Sequence, residues 1–144
     1  MKRLTLILAG LAISIINKYF EKYADNDQFT KVTINQKMFS LFANFEGDTE
    51  EETEFMQAIS KLEGLKIIVG DSIENPMGMY KKVAAEIDKG GYEELMSVKD
   101  GDENVKFSII EKNGIVSEMI MVVGGKNEFV LLSLYGEIDL KNVS

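Results

Sequence analysis

The sequence contains no cysteine, no histidine and no tryptophan, and a single proline in 144 residues. Without cysteine there is no disulfide, no thiolate nucleophile, no zinc–thiolate site and no lipid-modified cysteine. Without histidine there is no Ser-His-Asp triad, no imidazole metal ligand and no side chain whose unperturbed charge changes near neutrality. Soft and imidazole ligands being absent, no transition-metal site is expected, and nothing in the residue inventory calls for a cofactor. Positive charge is scarce: 16 Lys and Arg stand against 24 Asp and Glu, for a formal net charge of −8. That balance argues against nucleic acid as a partner, because a phosphate backbone needs clustered Lys and Arg. The glycines are scattered, with no phosphate-cradling spacing. What is abundant is apolar: 45% of the residues are hydrophobic, too many for a disordered chain, and the length suits one domain with one core.

Lys2 and Arg3 make a basic start, and Leu4 to Ile16 is an uncharged, mostly apolar run. The run is short for a bilayer-spanning helix and suits the central region of a secretory signal. Ala12 and Ser14, small residues two apart, mark a cleavage pattern ending at Ser14. The expected organisation is a signal at 1–14 and a single domain at 15–144, placed in the periplasm or outside the cell with no stable membrane anchor after processing. The competing reading is a buried N-terminal helix of a cytoplasmic protein.

Along the rest of the chain, Ile16, Tyr19, Phe20 and Tyr23 recur at helical spacing. Lys31 to Asn35 alternates as a strand, and Met38 to Phe45 is a dense apolar patch suited to a short helical turn. Thr49 and Glu52 are spaced as a capping box, followed by Phe55, Ile59 and Leu62 on one helical face, with Gly64 as a stop. Leu65 to Val69 reads as a strand. Asn75-Pro76 opens a helix with the stripe Tyr80, Val83, Ala84, Ile87, and Gly90-Gly91 closes it. Four strand runs follow: Tyr92–Lys99, Val105–Lys112, Ile115–Val123 and Glu128–Ile138. The pattern predicts an α+β fold: a mainly antiparallel sheet of about six strands with two to three helices packed on one face.

Asn113-Gly114 is a strong type I′ hairpin signal that pairs Lys112 with Ile115. Counting back predicts Val105 opposite Val122, Phe107 opposite Ile120 and Ile109 opposite Glu118. A three-residue loop, Gly125-Lys126-Asn127 with Asn127 left-handed, predicts Met121 opposite Leu131 and Val123 opposite Phe129. This register leaves the face away from the helices carrying Met119, Met121, Val123, Phe129, Leu131 and Tyr135, where polar residues are the rule. These six are the candidate interface. Two other readings stand beside it: the N-terminal helix or the Phe39–Phe45 patch covers that face, or the faces are inverted for part of the sheet.

The acidic cluster Asp48, Glu50, Glu51, Glu52 and Glu54 fits a solvated, dipole-favoured helix start better than a calcium loop, whose oxygens must converge. Asp100, Asp102, Glu103 and Asn104 read as a charged turn. Glu86, Asp88, Glu93, Glu94 and Glu118 offer carboxylates for hydrolysis on paper, but nothing in the sequence brings two of them to a cleft. The register puts Glu118 on the core face, where it is either a buried carboxyl with a raised pKa or a residue near the sheet edge reaching water.

Several segments carry a resemblance to a known family: Phe20-Glu21-Lys22-Tyr23-Ala24, Lys37-Met38-Phe39, Gly91 to Lys99 and Phe129 to Leu140. They resemble the small exported bacterial proteins of the domain of unknown function 4252 family over nearly the whole mature chain. The resemblance implies export to the envelope and supplies no reaction and no catalytic residues; a lipid-attachment cysteine found in some relatives is absent here. The expectation is therefore a non-enzymatic envelope protein that binds a protein partner or itself. A small-molecule or lipid binder using the same Met and Phe surface is the alternative, with a carboxylate hydrolase behind it.

Overall fold

The computed structural model describes residues 15–139; the expected signal at 1–14 lies outside them. Residues 15–22 are helical (α1). They are followed by β1 (Phe29–Asn35), α2 (Gln36–Ser40) with a 3-10 turn (Leu41–Asn44), α3 (Glu50–Ile59), β2 (Leu62–Asp71), α4 (Pro76–Lys89), β3 (Glu93–Asp100), β4 (Glu103–Lys112), β5 (Ile115–Gly124) and β6 (Glu128–Asp139). The strands form one sheet in the order β1-β2-β6-β5-β4-β3, every neighbouring pair antiparallel. The fold is α+β with a six-stranded antiparallel sheet, as the sequence predicts, but the helices pack on both faces of the sheet and not on one, because the Phe39 segment and α3 carry an apolar surface of their own.

Local chemistry sets the helix ends. The Asn75 side chain accepts from Gly78 N, Pro76 occupies the first turn and Gly90 caps the C-terminus of α4. Thr49 Oγ1 accepts from Glu52 N, so the predicted cap forms, while Glu52 Oε2 accepts from Asp48 N, one residue before the cap, in place of the Thr49 N–H of a full capping box. Leu62 and Gly64 do not belong to α3: both lie in β2, so α3 ends at Ile59 and Phe55 is left exposed.

On one face of the sheet, α1 and α4 bury Ile16, Tyr19, Tyr80, Val83 and Ile87 against Ile68, Ile120, Val122, Phe129 and Leu131. Tyr19 Oη donates to Glu86 Oε1 at 2.9 Å and ties α1 to α4. Gly124 lets α4 approach: a Cβ there would lie 2.5 Å from Tyr80 Cβ. Gly124→Ala is expected to lower stability by about 1–3 kcal/mol, through overpacking, in a denaturant melt. On the other face, α2, its 3-10 turn and α3 cover one end. There Phe39, Leu62, Ile109, Val116 and Ile138 form a second cluster with Ile34, Ile59 and Leu65. The Phe39 patch thus covers part of this face, and the rest stays open.

The register differs from the expected one by a single residue at two places. Asn113-Gly114 does pair Lys112 with Ile115, with Asn113 left-handed. Ser117 then bulges out of β5, so Val105 faces Val123, Phe107 faces Met121 and Ile109 faces Met119. The bulge turns Val116 into the α2–α3 cluster and Glu118 toward α4, though both are buried. At the last hairpin Gly125 N donates to Glu128 O at 2.8 Å, leaving a two-residue Lys126-Asn127 turn, and Asn127 is not left-handed. Met121 consequently faces Leu132, and Leu131 faces Val122.

Candidate functional site: the open sheet face and its acidic rim

A one-residue slip moves every side chain of a strand to the opposite face. The six candidate interface residues therefore do not share a surface. Met119, Met121 and Val123 lie on the face away from α4. Phe129 and Leu131 lie under α4, each with 0% exposure. Tyr135 pairs with Glu118 on the α4 side and lies against Gly64.

The open face is built from rows that run across the strands. A valine row joins Val69, Val130, Val123, Val105 and Val98, with Thr30 at the β1 end. The next row is Val32, Ile67, Leu132, Met121, Phe107 and Met96. Neither row contains a charge. Met96, Val98 and Val32 are 48%, 42% and 39% exposed, and their row neighbours are half-buried. The following row contains Leu65, Leu134, Met119 and Ile109, beside the α2–α3 layer. The remaining large exposed apolar side chains among the described residues are Met38, Leu41, Phe45 and Phe55 on that layer, and Leu95 at the β3 bulge. None is on the outer surface of α1 or α4.

Two residues beyond the valine row, on the same face by strand alternation, lie Asp71, Glu128, Glu103 and Asp100. They form two directly opposed like-charge pairs, Asp71 with Glu128 and Asp100 with Glu103. All four are exposed, and none has an ion-pair partner among the described residues. Opposed like charges on a sheet disfavour the pairing that brings them together.

Under α4 lies a polar cluster. Glu118, 1% exposed, accepts a hydrogen bond from Tyr92 Oη and one from Ser133 Oγ, each at 2.6 Å. Burial pushes its carboxyl above the usual glutamate range, more than the two hydroxyl donors pull it down. Burial, together with the hydrogen bond to Glu118, pushes the Tyr92 phenol up. Nearby, the Lys106 ammonium is ion-paired with Asp88 and, at 3.1 Å, with Glu94. Burial alone would lower it, but the two carboxylates outweigh that and its net direction is up.

The family model described as Domain of unknown function (DUF4252) matches residues 22–144, from the end of α1 through every strand. The chain belongs to the DUF4252 family. A comparison with curated proteins finds no match. In this DUF4252 protein the carboxylates available for hydrolysis are occupied as follows: Glu86 by Lys18 and Tyr19, Asp88 and Glu94 by Lys106, Glu118 by Tyr92 and Ser133. Glu93 is exposed on β3. Among the described residues no group of three or more Asp or Glu could hold a metal ion, and no helix is long and apolar enough to cross a membrane. Sequence reasoning missed Val105, Phe107, Val130 and Leu132 on the open face. Strand polarity carried no signal for them, because Lys106, Ser108 and Ser133 all turn inward, Lys106 to Asp88 and Glu94 and Ser133 to Glu118.

Proposed function

We propose that this DUF4252 protein is exported to the cell envelope and acts there, without catalysis, by binding a protein partner through the open sheet face. The observation that carries this reading is the pair of adjoining uncharged rows, left open while the opposite face of the same sheet is covered by two helices. Antiparallel sheets with one solvated face present polar residues there, so an apolar one is matched to something that covers it. The basic start and the apolar run before Asn17 support export, with processing placed ahead of Ile15 and Ile16, which are buried in the α4-side cluster.

Intact-mass measurement on the envelope fraction of the producing cell should find a species shortened near Ser14. A full-length protein confined to the cytoplasm would remove the export half of the reading. A photo-crosslinking side chain at Met121 should yield a defined adduct with another protein in that fraction, lost in Met96→Glu and Val98→Glu. An abundant, folded protein giving no adduct there would defeat the binding half.

A further inference from the structure

We infer that the open face receives an amphipathic helix of a partner protein, laid across the strands with Lys or Arg along the flank that meets Asp71, Glu128, Glu103 and Asp100. This rests on the proposed reading of the face as a binding surface and adds the chemistry of the occupant. Three observations carry it.

The first is shape. From Asp71 back to Leu65 along β2, the distance from the acidic rim to the covered row is about 20 Å at ~3.3 Å per residue. The α2–α3 layer stands at one side of this span and the rim at the other, so the two uncharged rows form the floor of a trough ~20 Å across at the backbone, with room for one helix of ~10 Å diameter between the side chains of the layer and those of the rim. Six strands about 4.8 Å apart make the trough ~24 Å long, the length of about 16 helical residues.

The second is precedent within the molecule. The other face is closed by α4, which seats Tyr80, Val83 and Ile87, one stripe of a helix, on Ile120, Val122 and Leu131. It runs along β5, with its start at Gly124 and with Tyr92, beyond its end, at Glu118. It is therefore precedent for a helical stripe on this sheet, while the direction on the open face is set by the uncharged rows. An apolar stripe of the same spacing matches the floor of Val123, Val130, Met121 and Leu132.

The third is charge. The rim holds opposed carboxylates that have no ion-pair partner among the described residues, the neighbouring Lys126 being paired with Asp102, in a chain of net charge −8. A basic flank would relieve that repulsion on docking and speed encounter with the partner. The same rim repels an anionic lipid surface. A second copy paired about a two-fold axis along the strands would set rim against rim.

The test uses two synthetic 18-residue helical peptides with the same leucine stripe, one flanked by Lys and one by Glu, and fluorescence anisotropy with the purified mature protein. The Lys-flanked peptide should bind, about tenfold more weakly in ~300 mM than in ~50 mM salt. Its affinity should fall about tenfold in the Glu103→Gln/Glu128→Gln double variant, and vanish in Met96→Glu and in Val98→Glu, each shown folded by circular dichroism. Equal binding of the Glu-flanked peptide overturns the charge assignment while leaving the face a binding surface. A Met96-dependent homodimer in sedimentation, or Met96-dependent binding to phosphatidylglycerol vesicles, overturns the helix and names the other occupant. If neither peptide binds while the envelope crosslink persists, the partner's chemistry is wrong and the proposed function stands; if the crosslink is absent too, both fail.

Discussion

Leu131→Glu is expected to leave no folded protein, whereas Leu132→Glu, its immediate neighbour, is expected to fold. Leu131 lies between Ile68 and Val122 under α4 and is fully buried. Losing a core leucine costs about 2–5 kcal/mol, and burying an unpaired carboxylate in its place adds several more. A domain of this size has only about 5–15 kcal/mol to lose. Leu132 lies between Ile67 and Met121 on the open face and keeps access to water, so a carboxylate there stays hydrated. Its expected penalty is on the order of 1 kcal/mol, a midpoint shift of about 4 °C. Far-UV circular dichroism with thermal melts of both variants reads the difference. Two folded variants, or the reverse order, would mean that β6 is in the register its turn sequence first suggests.

That contrast also marks where the sequence is legible and where it is not. Turns and caps are written in individual residues: Asn113-Gly114, Asn75-Pro76 and Thr49 with Glu52 all do locally what their chemistry dictates. All six strands are visible, as apolar runs or as apolar–polar alternation between turn signals. Which face each residue takes is a different kind of information. Phe129-Val130-Leu131-Leu132 is apolar on both faces, so hydrophobic alternation gives no register there. Register then hangs on loop length, and the difference between a three-residue turn after Gly124 and the two-residue turn after Gly125 inverts the whole of β6. The Ser117 bulge has the same effect on β4, and a bulge that leaves one serine unpaired has no compositional signature. The polar residues that could have decided the matter misled, because Lys106, Ser108, Glu118 and Ser133 are all buried on the helix side. Three of the candidate residues nevertheless lie on the face away from α4, Met121 and Val123 in its open part and Met119 beside the α2–α3 layer, because β5 itself was oriented correctly. The acidic rim was visible only in pieces: Asp100 and Glu103 were read as a charged turn, and nothing local joins them to Asp71 and Glu128.

The buried Glu118 should behave unlike an ordinary core polar group, and the direction can be worked out. Glu118→Ala removes the acceptor that Tyr92 and Ser133 hydroxyls both use. Depriving a buried donor of its acceptor costs about 1–3 kcal/mol; Ser133 is fully buried and the half-buried Tyr92 adds a smaller share, so the loss should be about 2–4 kcal/mol. Replacing the whole cluster, Glu118→Leu with Tyr92→Phe and Ser133→Ala, leaves no orphaned donor and should recover most of that loss. pH separates the role of charge from that of hydrogen bonding. Burial raises the carboxyl above its unfolded value, so the folded state holds the proton more tightly than the unfolded chain. The stability this contributes is complete below the unfolded glutamate range and is lost as pH rises through the raised value. Glu118→Gln cannot titrate; its stability relative to wild type should therefore rise with pH across that window and be level on either side. Urea unfolding at closely spaced pH values, with the Tyr92 and Tyr135 phenols protonated throughout, gives the difference directly. A difference that moves the other way would mean that the two hydroxyl donors, and not burial, govern the carboxyl, and that the core of this sheet holds a stabilised anion.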